Sequence, residues 1–257
     1  MSLRQTLLSI DWPTGYRKII IDEVDSTMKE ARRRQQYITQ PTWILAKNQT
    51  KAHGRRGRVW SNPNGNFSAT LALKLSEDPA NLALRSFVTA LALFDTLAYI
   101  TKAAKLLSLK WPNDVLMEDK KVAGILLESF GSGKITDFLL IGVGVNLVPL
   151  PDGIEPSFGG MVRPTSLSDF GFKINPEDFL VYLAANFDYW EKQLRSSGFS
   201  ELRKVWLSRA IKIGEMITVR TGLDLYEGIF DTIDDSGNLV LKMDCGIKVI
   251  PAGDVYF

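Results

Sequence analysis

Histidine and cysteine are almost absent from this chain of 257 residues. The lone cysteine, Cys245, excludes an internal disulfide framework and a cysteine-ligated zinc site. The lone histidine, His53, leaves no His-rich metal site and no metalloprotease motif, and a conventional Ser/His/Asp triad is not expected. A charge excess is missing as well: 31 Lys and Arg stand against 29 Asp and Glu, a formal net charge of +2, where a general nucleic-acid binder carries a marked basic surplus. No uninterrupted apolar run approaches the roughly 18 residues of a membrane helix. The longest uncharged apolar segment, Phe138 to Leu150, is broken by glycines and an asparagine and reads as buried strand. The first residues lack the apolar core of a signal peptide, so the cytoplasm is the expected compartment. What is present, 45% hydrophobic and 23% charged residues, rules out dominant disorder. The length accommodates one large domain, alone or with a small one.

The hydrophobic pattern alternates between helix and strand. Asp25, Ser26 and Thr27 are all suitable helix N-caps, and Thr27 to Glu30 has the spacing of a capping box. Thr42 to Ala46 and Asn66 to Lys74 read as strands, separated by a loop of Gly, Arg and Asn from about Lys47 to Gly65. Leu84, Phe87, Leu91, Phe94 and Ala98 recur at helical spacing. Leu106 to Trp111, Lys121 to Phe130 and Ile135 to Asn146 read as strands, the last two joined by a hairpin across Gly131-Ser-Gly133. The segment from Pro149 to Pro164 is a Pro/Gly-rich loop, and Asn175-Pro176-Glu177 opens a helix striped by Phe179, Leu183, Phe187, Trp190 and Leu194. Past about Ala210 only short strands follow, with Asp234 to Gly237 as a turn. The pattern predicts a mixed sheet carrying helices, α+β or α/β, followed by a small β-barrel.

Three segments exceed what local folding requires. Gln49 to Trp60 places Lys51, Arg55, Arg56, Arg58 and two glycines just before a tryptophan. Glycines let a backbone approach an anion, and guanidinium groups grip carboxylate or phosphate oxygens. A solvated basic loop is the plain alternative, although a hairpin needs only a few connecting residues. Lys110-Trp-Pro-Asn-Asp114 precedes Lys120-Lys-Val-Ala-Gly124. There Asn113-Asp114 either closes a turn or orients a site, and Lys121 is either a solvated strand end or a point charge at a site mouth. In Ile141-Gly-Val-Gly-Val-Asn146 the glycines either make room for a ligand or mark a bulge.

The order and spacing of these segments closely resemble the biotin protein ligases over essentially the whole chain. The matching motifs are Asp25-Ser26-Thr27, the Gly54 to Trp60 loop, Lys110 to Asp114, Lys121 to Leu126 and Gly142 to Asn146. The resemblance implies an α+β fold, a class II synthetase-like mixed sheet over residues 1–208 and an SH3-like β-barrel over 209–257. It implies that biotin and MgATP give biotinyl-5′-AMP and pyrophosphate, and that biotin then passes to a lysine of a biotin carboxyl carrier domain. By the same resemblance Ser26, Thr27 and Gln49 bond the ureido ring. Gly54 and Arg55 contact the biotin tail and acyl-phosphate, and His53 borders the ligand. Lys121 acts in both steps together with Arg55 and Arg58. Gly124, Gly142 and Gly144 line the pocket, Trp60 covers adenine, and Asn146 lies on the nucleotide side. Asn113 and Asp114 orient the site or help hold Mg2+, most of whose ligands come from ATP, and Arg56 is structural. A homodimer is compatible with the family.

Two departures from the family pattern stand out. Ala52-His53 occupies the place of the usual Gly-Arg, and Met28 stands where asparagine is frequent. An imidazole cannot reproduce a guanidinium's permanent bidentate grip, so weaker or pH-dependent retention of the adenylate is expected. About 24 residues precede Asp25, too few for a winged helix, so no DNA partner is expected. A lipoate ligase or octanoyltransferase is the enzymatic alternative, and a binding paralogue without turnover the non-enzymatic one.

Overall fold

The structure is a computed structural model and describes residues 11–132, 135–151, 162–222 and 224–257. The chain opens with β1 (Arg17–Val24), α1 (Thr27–Arg33), β2 (Thr42–Gln49) and β3 (Phe67–Glu77). Next come α2 (Pro79–Ala83), α3 (Arg85–Thr101), β4 (Leu107–Lys110) and β5 (Asp114–Met117). A long hairpin of β6 (Lys120–Ser132) and β7 (Ile135–Val145) precedes α4 (Pro176–Ser197) and α5 (Phe199–Arg209). The C-terminal part consists of β8 (Met216–Arg220), β9 (Leu225–Ile233), β10 (Leu239–Met243), β11 (Gly246–Ile250) and β12 (Asp254–Tyr256).

Seven strands form one mixed sheet in the order β1-β2-β3-β7-β6-β5-β4, with β1 and β2 parallel and the other pairs antiparallel. Because side chains alternate along a strand, β7 sends Ile141, Val143 and Val145 to one face and Leu140, Gly142 and Gly144 to the other. The first face joins the main core with α3 and α4, including Phe87, Leu91, Phe94, Phe179, Leu183 and Phe187. Among the described residues the second is covered by α1 at one end, through Met28, Ala31, Ile44, Ala72 and Leu140, and its glycine end carries no helix, which leaves a cavity there.

The second sheet is antiparallel, in the order β11-β10-β9-β8-β12. It docks on the first through local pairing and packing. Leu109 bridges to Ala210, and the Trp111 indole N–H donates to the Gly237 carbonyl at 3.0 Å. Gly237 has φ +80°, and a Cβ there would lie 2.5 Å from Phe87 Cε2. Gly237→Ala combines left-handed strain with overpacking of this seam and should cost about 2–4 kcal/mol. A urea midpoint lowered with an unchanged slope is the expected readout.

Several details depart from the sequence reading. The helix start is capped at Ser26 rather than Thr27, and no side-chain cap forms. The Thr27 hydroxyl donates to Gln49 instead, and Glu30 binds Arg33 and Arg34, so the expected capping box is absent. Asp114 is not merely a turn residue but opens β5, and β1, α5 and β12 had no counterpart in the pattern. Gly133 and most of the Pro149 to Pro164 loop lie outside the described residues. The apolar segment Pro79–Thr101 is long enough to span a bilayer by length and composition, yet it is the core helix, mostly buried against the sheet and α4.

Candidate active site

Two register rows on the uncovered face of the large sheet form the floor of a cavity of about 250 Å³. One row is Thr70–Gly142–Leu126 and the next is Ser68–Gly144–Gly124. Glycine at the centre of both rows is what opens the space. A Cβ on Gly144 would lie 2.6–2.9 Å from the Trp60 indole, and one on Gly142 would lie 3.0 Å from Met28 Sδ. The repeated Gly-x-Gly is therefore a packing requirement rather than a bulge.

Over the first row sits the start of α1. Gln49, at the end of β2, accepts through Oε1 from the Thr27 backbone N–H (2.6 Å) and hydroxyl (3.0 Å), and Thr70 donates to the same hydroxyl at 2.8 Å. These bonds fix the carboxamide so that its NH2 group is not the one turned toward Thr27. Buried Ser26 lines the same end of the cavity.

Over the second row sit Trp60 and the basic groups. The 49–60 loop folds back on itself: Gly54 N–H donates to Arg58 O, Trp60 N–H to Ala52 O, and His53 pairs with Val59. Arg55 donates to the Asn113 side-chain carbonyl at 3.1 Å and to Gly253 O at 3.2 Å. Asn113 in turn donates to Ile125 O at 2.6 Å, so the turn after the cis Trp111–Pro112 bond is tied to β6 and orients Arg55. Burial pulls the Arg55 pKa down, against the nearby Asp254 and Asp114, yet a guanidinium stays charged at neutral pH. Lys121 Nζ lies 2.6 Å from Asp114 Oδ1 and 5.5 Å from the Trp60 ring centroid. Its backbone is held on both sides, by Arg163 O and by Thr165 N–H. His53 Nε2 lies 3.7 Å from Glu128 Oε1 at the rim.

Asn146 is 2% exposed, and its amide donates to Thr165 O at 2.9 Å. That amide is spent on anchoring the segment beside Lys121, although the residue still lines the cavity. Asp114 is paired with Lys121, and no group of three or more His, Cys, Asp or Glu able to hold a metal occurs among the described residues.

Residues 20–146 match the biotin/lipoate A/B protein ligase family, and residues 212–257 match the biotin protein ligase C terminal domain. The chain is 44% identical over 241 residues to a biotin–acetyl-CoA-carboxylase ligase of Paracoccus denitrificans, covering 93% of this chain and 99% of the relative. The chain belongs to the biotin protein ligase family. The bifunctional ligase/repressor BirA of Bacillus subtilis is 30% identical over 94% of this chain and 74% of its own length. The structure of a biotin protein ligase from Aquifex aeolicus in complex with biotin and ATP superposes with a TM-score of 0.76 at 27% identity, over 93% of this chain and 97% of that one.

Every site residue expected of a biotin protein ligase from the motifs lines this one cavity, from Ser26 and Gln49 at one end to Asn113, Asp114 and Lys121 at the other. Two contributors were not foreseen. Asp254, 9% exposed on β12, accepts from Arg56 at 2.8 Å and from Arg58, and lies 3.8 Å from Arg55. Nothing local marks it, because its partners are 196 to 198 residues away. Burial raises its pKa, but Arg58, Arg56 and Arg55 outweigh this and hold the carboxyl below the usual 3.8. Lys110, only 8% exposed, lines the cavity too. Burial pushes its ammonium below the ordinary lysine range, with Asp114 and Asp254 opposing and Lys121 and Arg55 reinforcing the shift. A lysine inside an apolar strand was the available signal. Met28, already marked in the sequence as a departure from the family pattern, is buried against Gly142.

Proposed function

We propose that this cavity carries out the family's ATP-dependent biotinylation in two steps. In the first, a biotin carboxylate oxygen forms a bond to the α-phosphorus of ATP, and the bond to the bridging oxygen breaks, releasing pyrophosphate and biotinyl-5′-AMP. In the second, a carrier lysine amine attacks the acyl carbon, AMP leaves, and the amine's proton passes to water. The ring end is the polar pocket of Ser26, Thr27 and Gln49, and the acyl chain runs over Gly142, Gly144 and Gly124. Gly54 and Arg55 face the acyl-phosphate, Trp60 and Asn146 border the nucleotide, and His53 closes the rim.

The observation that carries this reading is the convergence of Arg55, Arg58, Lys110 and Lys121 at one end of the glycine rows. With Arg56, five cations stand there against Asp114 and Asp254, the acidic residues that line the cavity among the described residues. A carboxylate and a triphosphate repel each other, so fixed positive charge where they meet lowers the barrier without acid–base chemistry. An anion entering beside Lys110 also favours its charged form. Mg2+ enters with ATP in this reading, held by phosphate oxygens and water rather than by a protein cage. Residues 1–208 supply the catalytic machinery, and residues 209–257 brace the arginine loop through Asp254. The carrier is a biotin carboxyl carrier domain of acetyl-CoA or a related carboxylase, and ATP consumption fits the cytoplasm. A homodimer would use β1, which among the described residues pairs only with β2.

ATP–pyrophosphate exchange tests the reading. Exchange is expected with biotin and not with lipoate or octanoate, because neither of those presents a ureido group to Thr27 and Gln49. Exchange driven equally by all three acids would overturn it.

A further inference from the structure

We infer that Met28 sets which ring-modified acids this site accepts, acting as an apolar wall against the sulfur-bearing edge of the bicycle. The inference rests on the biotin reading above.

The polar groups of the ring subsite are all on one side. Ser26, Thr27 and Gln49 line the cavity there, with the Gln49 amide fixed by two donors from Thr27 and with Thr70 supporting that hydroxyl. A fused bicycle that turns its ureido edge toward these groups must turn the opposite, thioether edge away from them. In strand order those polar groups belong to the α1 start, β2 and β3, and the same row continues away from them through Gly142, over which Met28 packs, to Leu126 on β6. Met28 is 5% exposed, and its Sδ would lie 3.0 Å from a Cβ on Gly142, so α1 and β7 are in close contact there. No hydrogen-bond donor is carried by the Met28, Leu126 or Gly142 side chains.

An oxygen added to the ring sulfur would therefore meet an apolar surface and lose its hydration without replacement. Such a mismatch is worth about tenfold or more in discrimination. An asparagine here would offer an amide donor instead. Met28 thereby exchanges a polar contact for stricter rejection of the oxidised ring.

The test is ATP–pyrophosphate exchange with biotin and with biotin sulfoxide, in the wild-type chain and in Met28→Gln, Met28→Ala and Met28→Leu. The wild type should prefer biotin in kcat/KM by about tenfold or more. Met28→Gln supplies a donor at similar length, and Met28→Ala leaves room for the oxygen and a water. Both should reduce the preference to within about threefold, mainly through KM, because the wall acts on ring binding. Met28→Leu keeps an apolar wall of similar volume and should keep the preference. A ratio unchanged in both Met28→Gln and Met28→Ala would overturn the assignment. So would a wild type that uses the two acids equally. Absence of any biotin-dependent exchange in the wild type would instead overturn the biotin reading itself.

Discussion

Lys121→Ala should lower biotin-dependent ATP–pyrophosphate exchange by about 10²–10³-fold, the usual consequence of removing one preorganised group that stabilises developing charge. Its ammonium lies 2.6 Å from Asp114 and borders the second glycine row, within the cluster of cations. The loss should appear in kcat more than in the KM for biotin, since the ring is held at the other end of the cavity. Transfer from preformed biotinyl-5′-AMP to a carrier domain should fall as well, because the same phosphate leaves as AMP. The fold should survive, because it is the Lys121 backbone, not its side chain, that pairs with Arg163 and Thr165. Near-UV circular dichroism checks this separately from activity. Exchange within about threefold of wild type would remove Lys121 from the reaction.

Asp254→Arg should raise the KM for ATP and lower kcat/KM by about 30–100-fold, although no part of β12 was marked by the motifs. The carboxylate bonds Arg56 and Arg58 and lies 3.8 Å from Arg55. Hydrogen bonds to charged groups are worth about 1.5–3 kcal/mol, and the partly exposed guanidiniums hold the total near the middle of that range. Replacing the carboxylate by a fourth guanidinium reverses attraction into repulsion and drives the 54–60 loop outward. Trypsin cleavage at Arg55 to Arg58 should then accelerate, and biotin with ATP should slow it less than in the wild type. Cleavage and KM both unchanged would mean that the loop is ordered without the second sheet.

The Asp254 clamp also has a defined pH dependence. Its folded pKa is depressed below 3.8, so the stabilisation is fully present above that value and is lost as pH falls through the lower folded value. The difference in urea midpoint between wild type and Asp254→Asn should therefore persist above the usual carboxylate value and shrink as the pH falls below 3.8.

The legibility of the site followed the range of the interactions involved. Gly142 and Gly144 alternate on β7, so period two alone puts them on one face, and Asn146 follows directly after the strand. The stripe Phe179, Leu183 and Phe187 likewise announced its buried face, and Asn175 caps α4 as its sequence suggests, accepting from Asp178 N–H. The α1 start was misread because Thr27 fits a local capping box and a nonlocal bond to Gln49 equally well. Gln49 is 22 residues away, and the nonlocal bond prevailed.

The sequence by itself determined the order of the central elements, the glycine-centred strands and the cations Arg55, Arg58 and Lys121 at their end, because each depends on residues that are neighbours in the chain or alternate along one strand. Only the tertiary structure decided what those cations face. Lys110 is buried by the closing of the sheet over it, Met28 meets Gly142 across the gap between α1 and β7, and Asp254 reaches the arginine loop from a second sheet nearly 200 residues later. Contacts of that kind are set by how packed layers meet, and a periodic pattern carries no record of which layer a surface will meet.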